Sequence, residues 1–227
     1  MIVAAMVVAV LPVSPAFAAK PPKDPAPEPP PASTFKSVAT ANGYFASGTS
    51  FEVPVPAGVD AGDFLIAQIG YSAAGTITPP TGWNLIDVTT NPSKPIMQGL
   101  YWRAATADEP THYSFTLSSG ANDTAAGAIA AYSGIDLTNP IDAVGAQSNG
   151  ATTDVVAPSI TTSTPDTAVI SFVTVRDDGT VTPPAGTTEQ WDVNSAAGVG
   201  VIGETLLAAS DEVFTVAGDT GTRTTTA

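Results

Sequence analysis

Four large aromatic side chains carry the clearest potential for ligand binding, namely Trp83, Tyr101, Trp102 and Trp191. Aromatic rings exposed on a β-sheet protein stack against the apolar faces of sugar rings. Tyr101 and Trp102 are adjacent, so in a strand they point to opposite faces and only one of them is expected in the core. Trp83 and Trp191 each follow a Pro-Pro turn, which favours a role in closing the end of a fold. Two hypotheses stay open for these rings, a platform for an extracellular glycan and a packing role.

Calcium is the metal that the composition allows, because it takes oxygen ligands from carboxylates and carbonyls in loops. The densest group of such oxygens is formed by Asp136, Asn139 and Asp142, within the run Asp-Leu-Thr-Asn-Pro-Ile-Asp. Neither this run nor Asn122-Asp123 matches an EF-hand loop or a Gly-Asp nonapeptide array. No cofactor is therefore expected, and the alternative, a calcium ion at Asp136, Asn139 and Asp142, rests on oxygen density alone.

The sequence predicts no catalytic residue and no enzyme. The chain has no Cys, a single His at position 112 and no Gly-x-Ser-x-Gly nucleophile elbow. His112 follows Pro110 at the start of a candidate strand and is predicted to be an exposed strand-end residue. Several acidic residues recur at equivalent turn positions, which favours capping of backbone amides over a catalytic carboxylate pair. They are Asp63, Asp108, Glu109, Asp166, Asp211 and Glu212.

The charge balance argues against nucleic acid as a partner. Seven Lys and Arg stand against 21 Asp and Glu, which gives a net charge of −14 at pH 7. This charge repels polyanions and anionic membrane surfaces. Charged residues make up only 12 % of the chain and hydrophobic residues 43 %, so a packed core is expected rather than a charged disordered tail.

The first residues predict a secretory signal peptide over 1–18. Ile2–Leu11 is an unbroken apolar run, and Ala16-Phe17-Ala18 has the small-residue pattern of a signal-peptide cleavage site. The run is too short for a transmembrane anchor, which needs about 20 apolar residues. The leader lacks the usual Lys or Arg, so we expect the natural start to lie upstream of Met1. Export predicts a secreted, extracellular or cell-surface protein.

Residues 19–34 predict a semi-rigid spacer. Lys20–Ala32 holds seven of the 21 prolines of the chain. Such a stretch cannot bury an apolar face and favours extended polyproline II. A spacer after an export signal is expected to hold a domain away from a cell envelope or from another module.

The residues from 35 onward predict an all-β domain. Short segments rich in Val, Thr and Ala alternate with turn residues every 8 to 12 positions, which is typical of a sandwich or barrel. The candidate strands are Ser50–Val55, Phe64–Tyr71, Trp83–Thr89, Ile96–Ala104, His112–Leu117, Ala125–Tyr132, Val155–Thr161, Ala168–Val175, Val199–Leu207 and Val213–Val216.

An internal repeat runs through this domain. Gly75–Gly82 and Gly179–Gly186 are identical at six of eight positions, at an offset of 104. Three further matches follow the same order, Asp63 with Asp166, Ala105–Glu109 with Ala208–Glu212, and Phe115–Leu117 with Phe214–Val216. We predict one antiparallel, jelly-roll-like β-sandwich over 35–227, built from two internally similar halves at about 35–145 and 146–227 that share a core.

The repeat predicts that a strand is missing from the second half. Gly127–Tyr132 follows Phe115–Leu117 in the first half, and its counterpart would fall at about 226–231, where the chain has reached Ala227. We therefore expect the chain to be incomplete at its C-terminus. A sandwich without this strand exposes unpaired backbone amides, so self-association through an edge strand is expected.

Several phrases resemble a β-sandwich module of exported bacterial surface proteins and of phage structural or tail proteins. The phrases are Gly62–Gln68, Thr78–Trp83, Tyr101–Pro110, Tyr113–Thr116, Ala130–Asp136 and Pro140–Asp142. The resemblance implies one sandwich made of both halves, a closing apolar strand after the Thr-rich segment, and display or adhesion without catalysis. It assigns no functional residue.

The leading hypothesis is a non-catalytic, secreted or surface-displayed module for adhesion or structural display, whose partner is an extracellular glycan or protein surface. The alternative is a carbohydrate-binding module of a secreted enzyme, or a phage receptor-binding component. Flanking modules would separate the two, since fold alone does not define function.

Overall fold

The fold is described from a computed structural model, which defines residues 3–10, 33–45, 50–91, 95–118, 123–150, 155–164, 167–176, 181–194, 207–214 and 221–223. The elements in these ranges are the β-strands β1 (Val3–Val10), β2 (Thr34–Phe45), β3 (Ser50–Pro54), β4 (Phe64–Tyr71), β5 (Ile77–Thr78), β6 (Asn84–Thr90), β7 (Met97–Ala104), β8 (His112–Leu117), β9 (Asp123–Ser133), β10 (Ile141–Asn149), β11 (Ile160–Thr162), β12 (Ala168–Val175), β13 (Thr188–Asn194), β14 (Leu207–Phe214) and β15 (Gly221–Arg223). Within these residues no helix is long and apolar enough to cross a membrane.

The strands form two large and two small sheets. The first large sheet has the order β2-β9-β4-β7-β6, and the second has the order β10-β1-β12-β14-β13. The first small sheet is β3-β8-β5 and the second is β11-β15. All described pairings are antiparallel. The predicted all-β, antiparallel sandwich is therefore confirmed, while its jelly-roll topology and its origin from two similar halves stay predictions.

The sheets are stacked so that the two large ones lie in the middle. Strands β4 and β12 are buried at all eight positions, because each has a layer on both of its faces. Along β4 the faces alternate, since Phe64 and Ile66 point to the second large sheet while Leu65 and Ala67 point to the first small sheet. Two-sided burial also explains why these strands read as continuous apolar runs in the sequence.

The central core lies between the two large sheets and draws on both predicted halves. The first half contributes Phe64, Ile66, Leu100, Ala128 and Tyr132, among others, and the second contributes Ile170, Phe172, Trp191 and Val193. A second core joins the first large and first small sheets, and a third covers the outer face of the second large sheet. Packing of this kind is what a single body with a shared core requires.

A buried hydrogen-bond network also crosses the central core. Gln68 Nε2 donates to Gln98 Oε1 at 3.0 Å and to the Val173 carbonyl oxygen at 2.8 Å. Thr174 Oγ1 donates to Gln98 Oε1 at 2.7 Å, and Trp191 Nε1 donates to Gln68 Oε1 at 2.9 Å. Gln68, Gln98 and Thr174 are fully buried, so each would cost free energy without these partners. The network therefore fixes how the two large sheets face each other.

Strand β1 occupies a place in the second large sheet that matches the place of β9 in the first. β9 lies between β2 and β4, and β1 lies between β10 and β12. The registers agree as well. Tyr132 pairs with Phe64 and Ala125 with Tyr71, while Val10 pairs with Ala168 and Val3 with Val175. Ala168 and Val175 are the positions that the offset of 104 assigns to Phe64 and Tyr71.

Irregular features recur at matching places too. The β2–β9 ladder skips Lys36, and the β1–β10 ladder skips Asp142, beside the equivalent pairs of Phe35 with Tyr132 and Ile141 with Val10. Gly82 and Gly186, which end the two Pro-Pro turns, both have φ of 91°, a left-handed conformation that favours glycine.

The described residues show where the strand predictions were wrong. β14 spans Leu207–Phe214, whereas the repeat places a turn at Ala208–Glu212. β2, β10 and β13 were not predicted, and β11 is shorter than the predicted strand over Val155–Thr161. β2 begins at Thr34, which was assigned to the spacer, and β10 crosses the predicted repeat boundary at 145/146. The proposed single domain, signal peptide and spacer otherwise stay predictions.

Candidate functional site

Two of the four candidate aromatic side chains lie in the core between the first large and first small sheets. Trp83 is 8 % exposed and meets Tyr113 edge to face, with 5.1 Å between the ring centroids. Tyr101 is 1 % exposed, its hydroxyl donates to the Ile77 carbonyl oxygen at 2.9 Å, and burial raises the pKa of Tyr101 to about 12. Neither ring presents a face to solvent, so both serve packing.

The other two lie on the opposite side of the first large sheet. Trp191 is 5 % exposed and its indole nitrogen donates to Gln68 in the central core. Trp102 is half-buried and stacks on Phe64 at 5.8 Å between centroids. Tyr101 and Trp102 thus point to opposite faces as predicted, but both are packed, because both faces of this sheet are covered. Trp102 alone of the four is available in part to a ligand.

Two of the three candidate calcium ligands accept hydrogen bonds from other residues of the chain. Asp136 Oδ1 accepts a hydrogen bond from the Thr138 amide at 2.9 Å. Asp142 accepts from the amide and hydroxyl of Ser163, at 2.7 and 2.5 Å, and from the Thr164 amide. Asn139 is exposed. Across the part of the chain that the structure describes, no group of three or more His, Cys, Asp or Glu side chains is arranged to hold a metal ion. Calcium at Asp136, Asn139 and Asp142 stays a prediction.

His112 lies where the sequence predicts it, exposed at the first position of β8. Its Nε2 is 3.5 Å from Glu52 Oε1 on β3, and its Nδ1 is 3.0 Å from Thr111 Oγ1. Predicted amide capping is confirmed for two of the recurring acids, since Asp63 accepts from the Asp60 amide and Glu109 from the Thr106 amide. Asp166 lies outside the described residues.

A polar cluster around Glu109 was not predicted as a unit. We define the Glu109 cluster as Arg103, Thr106, Glu109 and Tyr113. Arg103 Nη2 lies 3.2 Å from Glu109 Oε1, which also accepts from the amide and hydroxyl of Thr106 at 2.7 and 3.0 Å. The Tyr113 hydroxyl donates to Glu109 Oε2, and the Arg103 guanidinium lies over the Tyr113 ring, 4.8 Å from its centroid. The carboxylate is therefore surrounded by donors.

Electrostatics in the Glu109 cluster follows from this geometry. Burial raises the pKa of Glu109, but hydrogen bonds from Tyr113 and Thr106 and the charge of Arg103 outweigh it, and the net pKa is lowered. Burial and the bond to Glu109 raise the pKa of Tyr113. Glu109 is thus held ionised and Tyr113 neutral at pH 7. A carboxylate held in this way stabilises the turn that joins β7 to β8.

A second ion-pair group fixes the bulge in β2. Lys36 Nζ is 2.8 Å from Asp60 Oδ2 and 2.6 Å from Asp63 Oδ2, and these hydrogen bonds raise the pKa of Lys36. At the matching bulge in β10 the residue is Asp142, which accepts from Ser163 and Thr164. Both bulge residues thus bind the loop that precedes the central strand of their sheet, with opposite charge.

A shallow cleft of about 490 Å³ lies at the end of β4, beside the connection from β6 to β7. Its lining residues are Ala73, Ala74, Gly75, Thr76, Thr90, Asn91, Pro95 and Ile96. Among them the amide of Asn91 is already used, because Asn91 Nδ2 donates to the Asn149 carbonyl oxygen at 3.1 Å. The remaining lining is small and uncharged, so the cleft fits a solvent-filled recess better than a reaction site.

No family model, no curated protein and no solved structure matches this chain. The resemblance to exported surface and phage modules therefore stays an expectation, and function has to be argued from the residues. Sequence reasoning missed the Glu109 cluster as a unit. The signal that was available is the spacing of Thr106 and Glu109, three apart before a proline, which is typical of a side chain that caps its own turn.

Proposed function

We propose that the chain is a non-catalytic, exported β-sandwich module that serves structural display or adhesion at a cell or virion surface. One observation carries the proposal most directly. The side chains best suited to ligand chemistry are used to hold the layers together, since Trp83, Tyr101 and Trp191 are each at most 8 % exposed. Their burial gives a rigid body rather than an open binding platform.

The organisation of the acids supports the same reading. Asp63, Glu109 and Asp136 each accept a hydrogen bond from a backbone amide of their own turn. Asp142, on β10, accepts one from the loop before β12. Capping of this kind fixes loops, and fixed loops suit a module that must survive outside the cell. The predicted leader and the proline-rich spacer give such a body an export route and a stand-off from its anchor.

Carbohydrate binding is the second candidate, and Trp102 is the observation that favours it. Its ring is half-buried, so one part of it reaches the surface while Phe64 supports the other. A supported aromatic ring is the feature on which sugars stack. The two candidates therefore differ in what they require of this one side chain.

A glycan array and a surface-display assay together test the proposal. The chain is displayed on a bacterial surface between an anchor and an epitope tag, and we expect a protease-resistant, accessible tag and no glycan signal. Trp102→Ala is the informative variant. Leu85→Ala is its control, because Leu85 is an apolar residue that is 60 % exposed on β6 and has no aromatic ring on which a sugar could stack. A glycan signal that Trp102→Ala abolishes and Leu85→Ala preserves would replace display by carbohydrate binding.

A further inference from the structure

The place of β1 in the second large sheet is the feature that carries a further inference. We call the gap between β10 and β12, in which β1 lies, the strand slot. Both neighbours of the slot pair with β1 along its whole length, from Val3 to Val10. An empty slot would therefore leave one ladder of backbone groups unpaired on β10 and another on β12.

The slot also demands apolar side chains on both faces of its occupant. Val8 and Val10 belong to the central core, and Ala9 belongs to the core on the outer face of the sheet. All three are at most 1 % exposed. Removing the occupant would expose Ile170 and Phe172 on one face and Val169 and Val173 on the other, which the layers otherwise cover.

The first large sheet shows what sequence such a slot accepts. Its equivalent place holds β9, whose central residues 125–132 read Ala-Ala-Gly-Ala-Ile-Ala-Ala-Tyr. β1 reads Val-Ala-Ala-Met-Val-Val-Ala-Val in the same register and beside the same bulge. The two segments share no position-by-position identity beyond alanine, so the slot selects uncharged, mostly small side chains in extended form.

The two occupants reach their slots by different routes. β9 is joined to β8 by a short connection, whereas residues 11–32 separate β1 from Ser33. The connector raises the effective concentration of β1 at its place in the sheet, but β1 has no short connection to either neighbour. In addition, removal of the predicted leader over 1–18 would cut β1 from the body and leave the slot to a different strand.

From these observations we propose that the strand slot is an acceptor site for an exchangeable β-strand. Its occupant in the exported protein is an extended, uncharged segment of about eight small or β-branched apolar residues, supplied by a second polypeptide and antiparallel to both β10 and β12. Main-chain hydrogen bonds give affinity in this mode of recognition, and side-chain size gives specificity. The proposal goes beyond display or adhesion, because strand exchange requires neither.

Strand exchange in the full chain tests the proposal. A site for a specific protease is inserted after Lys23, the folded protein is cleaved, and a fluorescent peptide is added in excess. One peptide copies residues 3–10 and a second copies 125–132, each with lysines at both ends for solubility. The control peptide copies residues 3–10 with Val8→Asp. Incorporation is measured by native mass spectrometry and by fluorescence anisotropy.

We expect both apolar peptides to enter the slot and displace the N-terminal fragment at one peptide per chain. The Val8→Asp peptide should bind at least ~100-fold more weakly, because it places an unpaired charge in the central core. Three results would overturn the proposal. In the first, the nicked protein excludes both apolar peptides. In the second, it loses its N-terminal fragment and keeps its melting temperature without any peptide. In the third, it unfolds and neither peptide restores the fold.

One further experiment distinguishes a strand supplied by a second polypeptide from a strand supplied by the same chain. The sequence of residues 125–132 is fused after Ala227 through a flexible linker, and the nicked protein is tested again. Incorporation of the fused strand without any incorporation of the free peptide would overturn the second-polypeptide assignment. Failure of display or adhesion in the surface assay would leave all of these readouts unchanged, so the two proposals can fail separately.

Discussion

The two large sheets differ in which part of the chain supplies the strand next to their first edge, β9 in the first sheet and β1 in the second. In the first large sheet β9 comes from the same stretch of chain as its neighbours β2 and β4. In the second large sheet the equivalent place is filled by β1. This is the first described strand of the chain, and it is far from its neighbour β12 in the sequence. The two sheets therefore have matching strand positions and registers, although the segments that fill them are connected to their neighbours very differently.

The bulges teach a related lesson about charge. Lys36 and Asp142 occupy equivalent bulges, and each binds the loop that leads into its central strand. The first uses two carboxylates as acceptors and the second uses amides and a hydroxyl as donors. The position of the contact is thus kept while its polarity is reversed. A bulge that tolerates either sign serves to fix the loop, and its particular charge is secondary.

The largest effect is expected from placing a charge in β9 or in β1. Ala130 and Val8 occupy equivalent positions opposite Ile66 and Ile170, and both are fully buried. Ala130→Asp and Val8→Asp should each cost more than about 4 kcal/mol, which is a large part of the stability of a domain. The variants are expressed in the cytoplasm so that residues 1–18 are not removed. Urea unfolding then measures the loss in the free energy of unfolding.

Only the second of these losses should be reversible by an added peptide. A peptide that copies residues 3–10 should restore the Val8→Asp protein, whereas no peptide should restore Ala130→Asp. If the Val8→Asp protein does not fold, Val8→Ala is measured instead, and its expected cost is about 1–3 kcal/mol. An unchanged urea midpoint for Val8→Ala would show that β1 contributes nothing to the second large sheet.

The strands whose limits sequence reasoning found are buried between neighbours, and three of those it missed are at sheet edges. The limits of β4, β8 and β12 agree with the prediction because their apolar patterns are enforced by cores. β2, β10 and β13 are edge strands that bury one side only, so their sequences are polar and broken by signals such as Asn42-Gly43. Their existence depends on pairing partners, which a local pattern does not contain.

β1 was missed for the opposite reason, because its apolar run has a second explanation as a leader.

Side-chain contacts also divide into those that the local sequence predicts and those that depend on distant parts of the chain. The opposite orientation of Tyr101 and Trp102 was predictable from strand geometry. The covering of both faces depends in addition on a second large sheet, whose central strand β12 begins only at Ala168. The Gln68 network was not predictable at all, since its members come from β4, β7, β12 and β13.

A designed disulfide tests whether β1 lies in the slot. The chain has no cysteine, so Ala9→Cys with Ala143→Cys creates a single pair at positions that face each other in the β1–β10 ladder. We expect it to close under mild oxidation and to stabilise the fold by about 2–4 kcal/mol. Val8→Cys with Ala143→Cys is the control, because Val8 lies on the other face. Mass spectrometry after thiol blocking reports closure, and an Ala9–Ala143 pair that stays reduced in folded protein would place β1 elsewhere.

The coupling between the two large sheets should be measurable across the central core. Gln68 on β4 accepts from Trp191 on β13, and both are buried. Gln68→Leu should cost about 2–4 kcal/mol, because it leaves the buried Trp191 indole nitrogen without its acceptor and removes the hydrogen bond to the Val173 carbonyl oxygen. In a double-mutant cycle with Trp191→Phe we expect a coupling free energy of about 1–2 kcal/mol. A coupling of zero by urea unfolding would mean that the two sheets do not meet as described.

The smallest effects are expected from two acids, Glu109 in the turn from β7 to β8 and Asp192 on β13, whose pKa values are shifted in opposite directions. The pKa of Glu109 is lowered, so its contribution to stability is present above its ordinary value of 4.5 and is lost as the pH falls through the folded-state pKa. Burial raises the pKa of Asp192 above its ordinary value of 3.8, although the Val181 amide donates to it at 3.1 Å. Its ionised form therefore opposes folding, and the penalty appears as the pH rises through the folded-state pKa.

Substitution by the neutral amide should accordingly act with opposite sign at the two sites. At pH 7, Glu109→Gln should lower the melting temperature and Asp192→Asn should raise it, each by roughly 1–4 °C. Asparagine retains an oxygen that can accept from Val181, and it removes the charge from a carboxylate whose Oδ1 has no partner among the described residues. Both differences should shrink as the pH is lowered toward 3, where the native carboxyls become protonated. Calorimetric scans between pH 3 and 7 measure this convergence, and an Asp192→Asn protein less stable than the parent at pH 7 would show that Asp192 is paired rather than penalised in the second large sheet.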